Sequence, residues 1–300
     1  MKQIIKSLLP KLFLNTILNV YNTIYNPKPQ VHLRNIFGFD LYQNHQDIIN
    51  YKRFTDMSLQ NLTNHPDSRI FHSINRYTDE SSVAIDVGAN IGLMTLAMSE
   101  IVGPSGTVLS FEPGPVSFGL LRRNIYSNIL NGNVIISDNA LSDSSGSFNL
   151  FINKSGESDN QLFKNIDSYQ FRDETDRPKF IVKTVTLDEY LSINDIDFKK
   201  VSFIKIDTQG HDLSVIRGGR KLFNSSQRIT VLVEFAPYLK TWENQTIDEF
   251  FDEVTSLGFD IYDDSRLEEG KVDLNYLKSN YGMNMVGKYT DLLLLKGRKL

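Results

Sequence analysis

Apolar runs of strand length, bounded by turn residues, recur from Ser82 to the end of the chain, and most are followed by apolar residues at helical spacing. "SVAIDV", "TVLSFE", "NVIISD", "VSFIKID" and "ITVLVEF" read as strands, with helices starting near Ile91, Pro115, His211 and Thr246. This alternation predicts a doubly wound parallel sheet covered by helices. "GFDIYDD" and "TDLLLLKG" add two further strands near the C-terminus. "GSFNLFIN" and "KFIVKTVT" alternate well enough for strands, on either side of the polar segment from Lys154 to Lys179.

The first 80 residues differ in character and are expected to form a helical or irregular extension, with the main domain over 81–300. Phe13, Ile17, Val20 and Ile24 recur at helical spacing, widened by Leu14, Leu18 and Tyr21. Lys6, Pro10, Lys11, Asn15 and Asn19 interrupt the run, which falls short of the ~20 apolar residues of a spanning helix. No small-residue cleavage site follows a clean apolar segment, so neither a membrane span nor a signal peptide is expected. An amphipathic stripe of this kind suits packing on its own domain, contact with a second subunit or peripheral contact with a membrane surface. "NPKPQ" then reads as a linker, and His32, His45, His65 and His72 show no metal-ligand spacing.

Composition narrows the partners. With 40% hydrophobic and 23% charged residues the chain has ample material for a core. A net charge of −4 argues against a nucleic-acid surface, which concentrates positive charge. The chain has no cysteine, which excludes disulfides, thiolate metal sites and a cysteine nucleophile and fits a reducing compartment, so a cytoplasmic location is expected.

Candidate chemistry begins at the turn after the first strand, because open parallel sheets bind ligands beyond the carboxyl ends of their strands. Asp86, Gly88, Asn90 and Gly92 give D-x-G-x-N-x-G, two glycines where a dinucleotide fingerprint has three. Glu112 closes the second strand, where a carboxylate accepts hydrogen bonds from both hydroxyls of a ribose. A nucleoside-containing cofactor follows. A nicotinamide-dependent reductase shares these features and is disfavoured by the missing glycine, and a non-catalytic binding protein on a degenerate enzyme scaffold is a second alternative.

"IDVGANIGLMTL", "FEPGPVSFGLLRRN", "NALSDSSG", "VKTVTLDEYL", "FIKIDTQGHDLSVIRGG" and "VLVEF" occur in the order and approximate spacing of the FkbM family of S-adenosylmethionine-dependent methyltransferases, which the chain resembles from Val83 to Phe259. The resemblance implies a Rossmann-like class I methyltransferase fold, an α/β architecture with a seven-stranded, mostly parallel sheet, helices on both faces and an antiparallel last strand. It also implies S-adenosyl-L-methionine as cofactor. Asp86, Gly88, Ala89, Asn90 and Gly92 would hold its methionine end, Glu112 the ribose, and Asp138, Asn139 and Ala140 the adenine. The acceptor it implies is a hydroxyl on a small molecule, sugar, glycan or natural product. The chain departs from the usual K-I-D-x-E-G-x-E, reading K-I-D-T-Q-G-H-D from Lys205 to Asp212. Gln209 removes one negative charge, and Asp212 keeps one on a shorter arm.

Methyl transfer to an alcohol requires that the hydroxyl lose its proton, a task for a positioned carboxylate or imidazole. Asp207 and Glu234 end the fourth and fifth strands, expected neighbours, and His211 opens the helix that follows. Asp207 is the expected central acid, with His211 or Glu234 as base and no required metal. Tyr238 and Trp242 are candidates to stack on a sugar, and Asn153 to Phe163 to close over it.

Overall fold

The computed structural model describes residues 32–36, 39–43, 69–128, 133–152, 161–163, 179–239 and 245–300. The amphipathic N-terminal stretch, nearly all of Asn153–Phe163, and Trp242 lie outside them.

Strands β1 (His32–Ile36) and β2 (Phe39–Gln43) pair antiparallel, and helix α1 (Arg69–Tyr77) follows. The main domain then runs through β3 (Val83–Val87), α2 (Leu93–Val102), β4 (Thr107–Phe111), α3 (Pro115–Asn128) and β5 (Val134–Ser137). A short insert supplies β6 (Ala140–Leu141), β7 (Gly146–Phe151), β8 (Gln161–Phe163) and β9 (Lys179–Val185). The second half comprises α4 (Leu187–Ile193), β10 (Val201–Ile206), α5 (Asp212–Gly218), α6 (Arg220–Ser225) and β11 (Ile229–Phe235). It closes with α7 (Ile247–Ser256), β12 (Asp260–Asp263), α8 (Leu274–Asn280) and β13 (Thr290–Lys296). The helix expected near Thr246 starts there because Thr246 and Glu249 form a capping box, each side chain accepting the other residue's N–H at 3.1 and 2.9 Å.

The main sheet has seven strands in the order β12-β13-β11-β10-β3-β4-β5. All are parallel except β13, which runs antiparallel to both of its neighbours. The seven are the seven read from the sequence. Strand β3 is buried at every position, as expected of a central parallel strand covered on both faces.

The period-2 alternation of the strands divides the core into two layers. Val83, Ile85, Val87, Leu109, Phe111, Ile204 and Ile206 join the apolar side chains of α4 to α8 on one face. Ala84, Val108, Phe203, Leu232 and Leu293 meet Ile74 and Tyr77 of α1 and Met98 and Val102 of α2 on the other. Strand order, the antiparallel last strand and helices on both faces make this the class I methyltransferase fold.

Residues before 81 take part in this packing. Phe39 and Leu41 of β2 and Phe71 of α1 are buried against Leu93 and Leu96 of α2 and Leu121 of α3. Asn124 and Asn128 of α3 accept the backbone N–H groups of Tyr42 and Asp40 at 2.7 and 2.9 Å. Strands β7 and β9, both legible in the sequence, pair antiparallel in a second sheet of order β6-β9-β7-β8. Strands β6 and β8, two and three residues long, carry no periodic signal of their own.

Candidate active site

The carboxyl ends of β3, β4 and β10 and the start of α2 surround a cavity of about 350 Å³. Its position follows from two backbone conformations that the sequence encodes as glycine. Gly88 has φ of +76°, and a Cβ there would lie 1.8 Å from the Asp207 carbonyl oxygen. The turn after β3 therefore runs against the end of β10 with no room for a side chain. Gly92, at φ +94°, precedes α2 and packs on Leu121, whose Cδ1 would lie 2.7 Å from an added Cβ. Between them the Gly88 and Ala89 N–H groups both donate to the Phe111 carbonyl at 3.0 Å, fastening the turn to the end of β4.

Glu112 holds the far side of this turn. Its two carboxylate oxygens accept the Asn90 N–H at 2.9 Å and the Gly114 N–H at 2.7 Å. Burial raises the carboxyl to about 7, against the lowering effect of those two N–H groups and with further upward push from Asp86 and Asp207. Asn139 and Ala140 line the cavity beside it, the Asn139 amide donating to Ser137 Oγ at 3.0 Å. Asp138 is exposed and is not a lining residue.

A polar row crosses the sheet beneath the cavity. Asp86 is in register with Lys205 of β10 on one side and Ser110 of β4 on the other, so all three point to the α2 face. The Thr95 hydroxyl of α2 donates to Asp86 Oδ2 at 2.6 Å and meets Ser110 Oγ at 2.9 Å. Asp86 Oδ1 is buried, accepts no hydrogen bond and has the Lys205 ammonium 3.8 Å away. Burial pushes the Asp86 carboxyl up, opposed by Lys205 and Thr95. For Lys205 burial would lower the ammonium, but Asp207 and Asp86 outweigh it and hold the group above its ordinary value.

Asp207 stands at the cavity wall with its side chain 37% exposed, 3.1 Å from Lys205 Nζ. Its other oxygen accepts the Gln209 amide at 3.1 Å, and the same amide donates to Glu234 at 3.2 and 3.4 Å. Gln209 holds this position from a left-handed backbone, φ +55°. Asp212 fixes the loop. Its Oδ1 accepts the Thr208 N–H at 2.9 Å and hydroxyl at 2.7 Å, and its Oδ2 accepts the Gly210 N–H at 3.1 Å. Burial raises Asp212 to about 6 despite these bonds. Glu234, in register with Asp291 of β13, is pushed well above the usual carboxylate value by burial and then by Asp207, Asp212 and Asp291.

The sequence-expected site residues thus separate into two groups. Gly88, Ala89, Asn90, Glu112, Asn139, Ala140 and Asp207 line one cavity. Asp86 lies beneath it, Gly92 shapes its turn, and Glu234 is reached through Gln209. His211 stands apart. Its Nε2 is 3.0 Å from Ser142 Oγ and its ring meets Phe148 edge-on, so the imidazole is buried against the small sheet and does not line the cavity. Lys205 and Tyr289 line the cavity without having been singled out from the sequence. Lys205 carries a legible signal, a lysine set inside an apolar strand two positions before an aspartate. Tyr289 lies in an irregular stretch and carries none.

Residues 86–261 match the methyltransferase FkbM domain, more than half of the chain. The chain belongs to the FkbM methyltransferase family. The cofactor is accordingly S-adenosylmethionine. The FkbM chain is 29% identical over 153 residues to Methyltransferase sdnD of Sordaria araneosa, with 45% of this chain and 59% of that protein covered. It is 26% identical over 185 residues to Hexuronic acid methyltransferase AglP of Haloferax volcanii, with 60% of this chain and 68% of that protein covered. The match thus spans less than two thirds of the first relative's length. A SAM-dependent O-methyltransferase from Thermotoga maritima is similar in structure at 14% identity and a TM-score of 0.40, over 87% of this chain and 74% of that one.

Among the described residues no helix is long and apolar enough to cross a membrane. Among them, too, no cluster of three or more His, Cys, Asp or Glu has the arrangement of a metal site.

Proposed function

We propose that the protein transfers the methyl group of S-adenosylmethionine to a hydroxyl of a sugar, glycan or natural product, with Asp207 at the reacting oxygen. The observation that carries this reading is the placement of Asp207. It is a half-exposed carboxylate in the same cavity as the nucleoside-type acid Glu112 and beside the glycine turn. The hexuronic acid methyltransferase relative supports a sugar acceptor by its name.

The residues present fit the cofactor. The cavity is of the size small ligands require, its turn has no room for side chains at Gly88, and Asp86 Oδ1 is a buried acceptor without a hydrogen bond. Glu112 would take the ribose hydroxyls, Asn139 and Ala140 the adenine, and the 86–92 turn the methionine end, next to the first N–H groups of α2. When bound, S-adenosylmethionine supplies a methyl carbon on a positive sulfur, so that a C–O bond forms as the C–S bond breaks and the bonding pair returns to sulfur. Asp207 accepts the hydroxyl proton, and Lys205, 3.1 Å away, holds that carboxylate in place. Gln209 ties Asp207 to Glu234, which fixes the angle at which the carboxylate meets the acceptor.

Calorimetry with S-adenosylmethionine tests the cofactor site. Glu112→Ala is expected to weaken binding by about 1–3 kcal/mol, the range for leaving buried polar partners unpaired. Wild-type affinity in a well-folded Glu112→Ala protein would remove Glu112 from the site. Mass spectrometry of acceptor mixtures tests the chemistry through the mass gain of one methyl group.

A further inference from the structure

Apolar side chains that the fold leaves uncovered gather at the mouth of the cavity. Among the described residues, three of the eight large apolar side chains that stand exposed, Met283, Val286 and Tyr289, lie within seven positions of one another. Scattered singly such residues need no explanation, but a group does. They belong to the loop between α8 and β13, which folds as two successive turns. The Met285 N–H donates to the Gly282 carbonyl at 2.8 Å, and the Lys288 N–H to the Met285 carbonyl at 3.0 Å. Met283 and Val286 therefore each take the first corner of a turn, a position that loops ordinarily give to Pro or a polar residue, and Val286 is 85% exposed there. Thr290 at the start of β13 is in register with Phe235 at the end of β11, so the loop emerges at the carboxyl end of the sheet. Tyr289 joins loop and cavity, lining the one while it stands 59% exposed on the other.

Charge narrows what covers this loop. The chain carries 36 acidic against 32 basic residues, yet the segment from Leu274 to Thr290 contains no Asp or Glu. Its cations are Lys278, paired with Asp248 at 2.6 Å, and Lys288, which is exposed and makes no ion pair among the described residues. Apolar turn tips, an unmatched lysine beside them and a tyrosine at their base are the parts of an interfacial anchor. The tips enter the headgroup boundary, the phenol sits at its polar edge and the ammonium meets anionic lipid. A second copy of the chain fits less well. Three side chains, even at the ~250 Å² of a large aromatic each, fall short of the ~800 Å² per partner that a stable dimer buries.

We propose that the 282–289 loop seats the mouth of the cavity on an anionic lipid surface. The contact is read without turnover, so its failure leaves methyl transfer in place. The test sediments the full chain with vesicles of phosphatidylcholine, alone or mixed with an equal part of phosphatidylglycerol. The wild-type chain is expected to bind the anionic vesicles more tightly than the neutral ones, and less tightly as salt is raised. Met283→Ser combined with Val286→Ser, and Lys288→Glu alone, are each expected to weaken that binding ~5-fold or more in proteins of wild-type urea midpoint. Ile193→Ser is the control. It removes a side chain 69% exposed at the end of α4, which leads to the amino end of β10 and so lies away from the cavity, and it should leave binding unchanged. Failure to sediment with either vesicle, equal binding to both, or an equal loss in Ile193→Ser overturns the proposal. Undiminished binding by either loop variant overturns it too, and would give the contact to the N-terminal stretch with its Lys2, Lys6 and Lys11. A dimer in analytical ultracentrifugation that the double serine variant abolishes would make a second copy the occupant, and likewise overturns it.

Discussion

At the scale of single residues, the structure distinguishes two groups that the sequence set side by side. Asp207 and His211 are four positions apart, and the sequence made Asp207 the central acid and His211 one of two candidate bases. In space Asp207 opens to the cavity, whereas the His211 imidazole turns away to Ser142 and Phe148. Asp207→Asn is therefore expected to lower turnover by ~10²-fold or more, with little change in cofactor affinity. His211→Gln should leave the shape of the pH–rate profile unchanged and alter only its height. A pH–rate comparison of the three proteins checks both, and loss of a limb near the ordinary histidine value of ~6.5 in His211→Gln would return the imidazole to the chemistry. The glycines were more legible, since the need for φ above zero and for close approach leaves few other residues. Gly88→Ala places a methyl group against the Asp207 carbonyl. It should cost at least ~2 kcal/mol in urea unfolding and weaken S-adenosylmethionine binding, and a variant of normal stability would show that the turn can move.

At the scale of elements, the strands of the main sheet were read from the sequence because each is an apolar run with turn residues at its ends. The family resemblance supplied their number and the antiparallel last strand, and the structure their order, since periodicity says nothing of which strand lies beside which. The small sheet was only half legible: β7 and β9 alternate over six and seven residues, but two-residue β6 and three-residue β8 are defined by pairing alone. The loop after β10 shows a further limit. From the sequence Asp212 looks like a shortened member of an acidic site, but in the structure it is buried and bonds to Thr208 and Gly210 within its own turn. It serves as the brace that aims Gln209 and Asp207. Asp212→Ala leaves those N–H groups without an acceptor, at ~1–3 kcal/mol by the usual cost of an unsatisfied buried donor. The expected signature is a fall in unfolding free energy together with a fall in kcat, since the brace and the proposed base share one loop. Loss of stability with full kcat would separate the loop from the site.

At the scale of the whole molecule, the same buried acids that shape the site set how stability depends on pH. Burial raises Glu112 to about 7, Asp212 to about 6 and Asp291 to about 7, and lifts Glu234, Asp264 and Asp86 as well. Each folded value lies above the unfolded one near 4, so between about pH 4 and pH 7 the native state binds more protons than the unfolded chain. Their contribution is complete below about pH 4 and is lost as pH rises through about 7. Asp263 acts in the opposite sense. Burial would raise it, but hydroxyls of Ser265, Tyr281, Thr290 and Tyr276 hold it below its usual value, so its contribution is lost only as pH falls below about 4. The cofactor-free protein should therefore melt several degrees lower at pH 8 than at pH 5.5, a few kcal/mol at ~2–4 °C per kcal/mol. Ribose hydroxyls donating to Glu112, which burial raises to about 7, would favour its ionised form, so binding should release protons. By linkage, saturating S-adenosylmethionine should then raise the melting temperature more at pH 8 than at pH 5.5. Scanning calorimetry at the two pH values, with and without the cofactor, decides this. An equal rise at both would mean that binding leaves the protonation of the buried acids unchanged, which contradicts a ribose seated on Glu112.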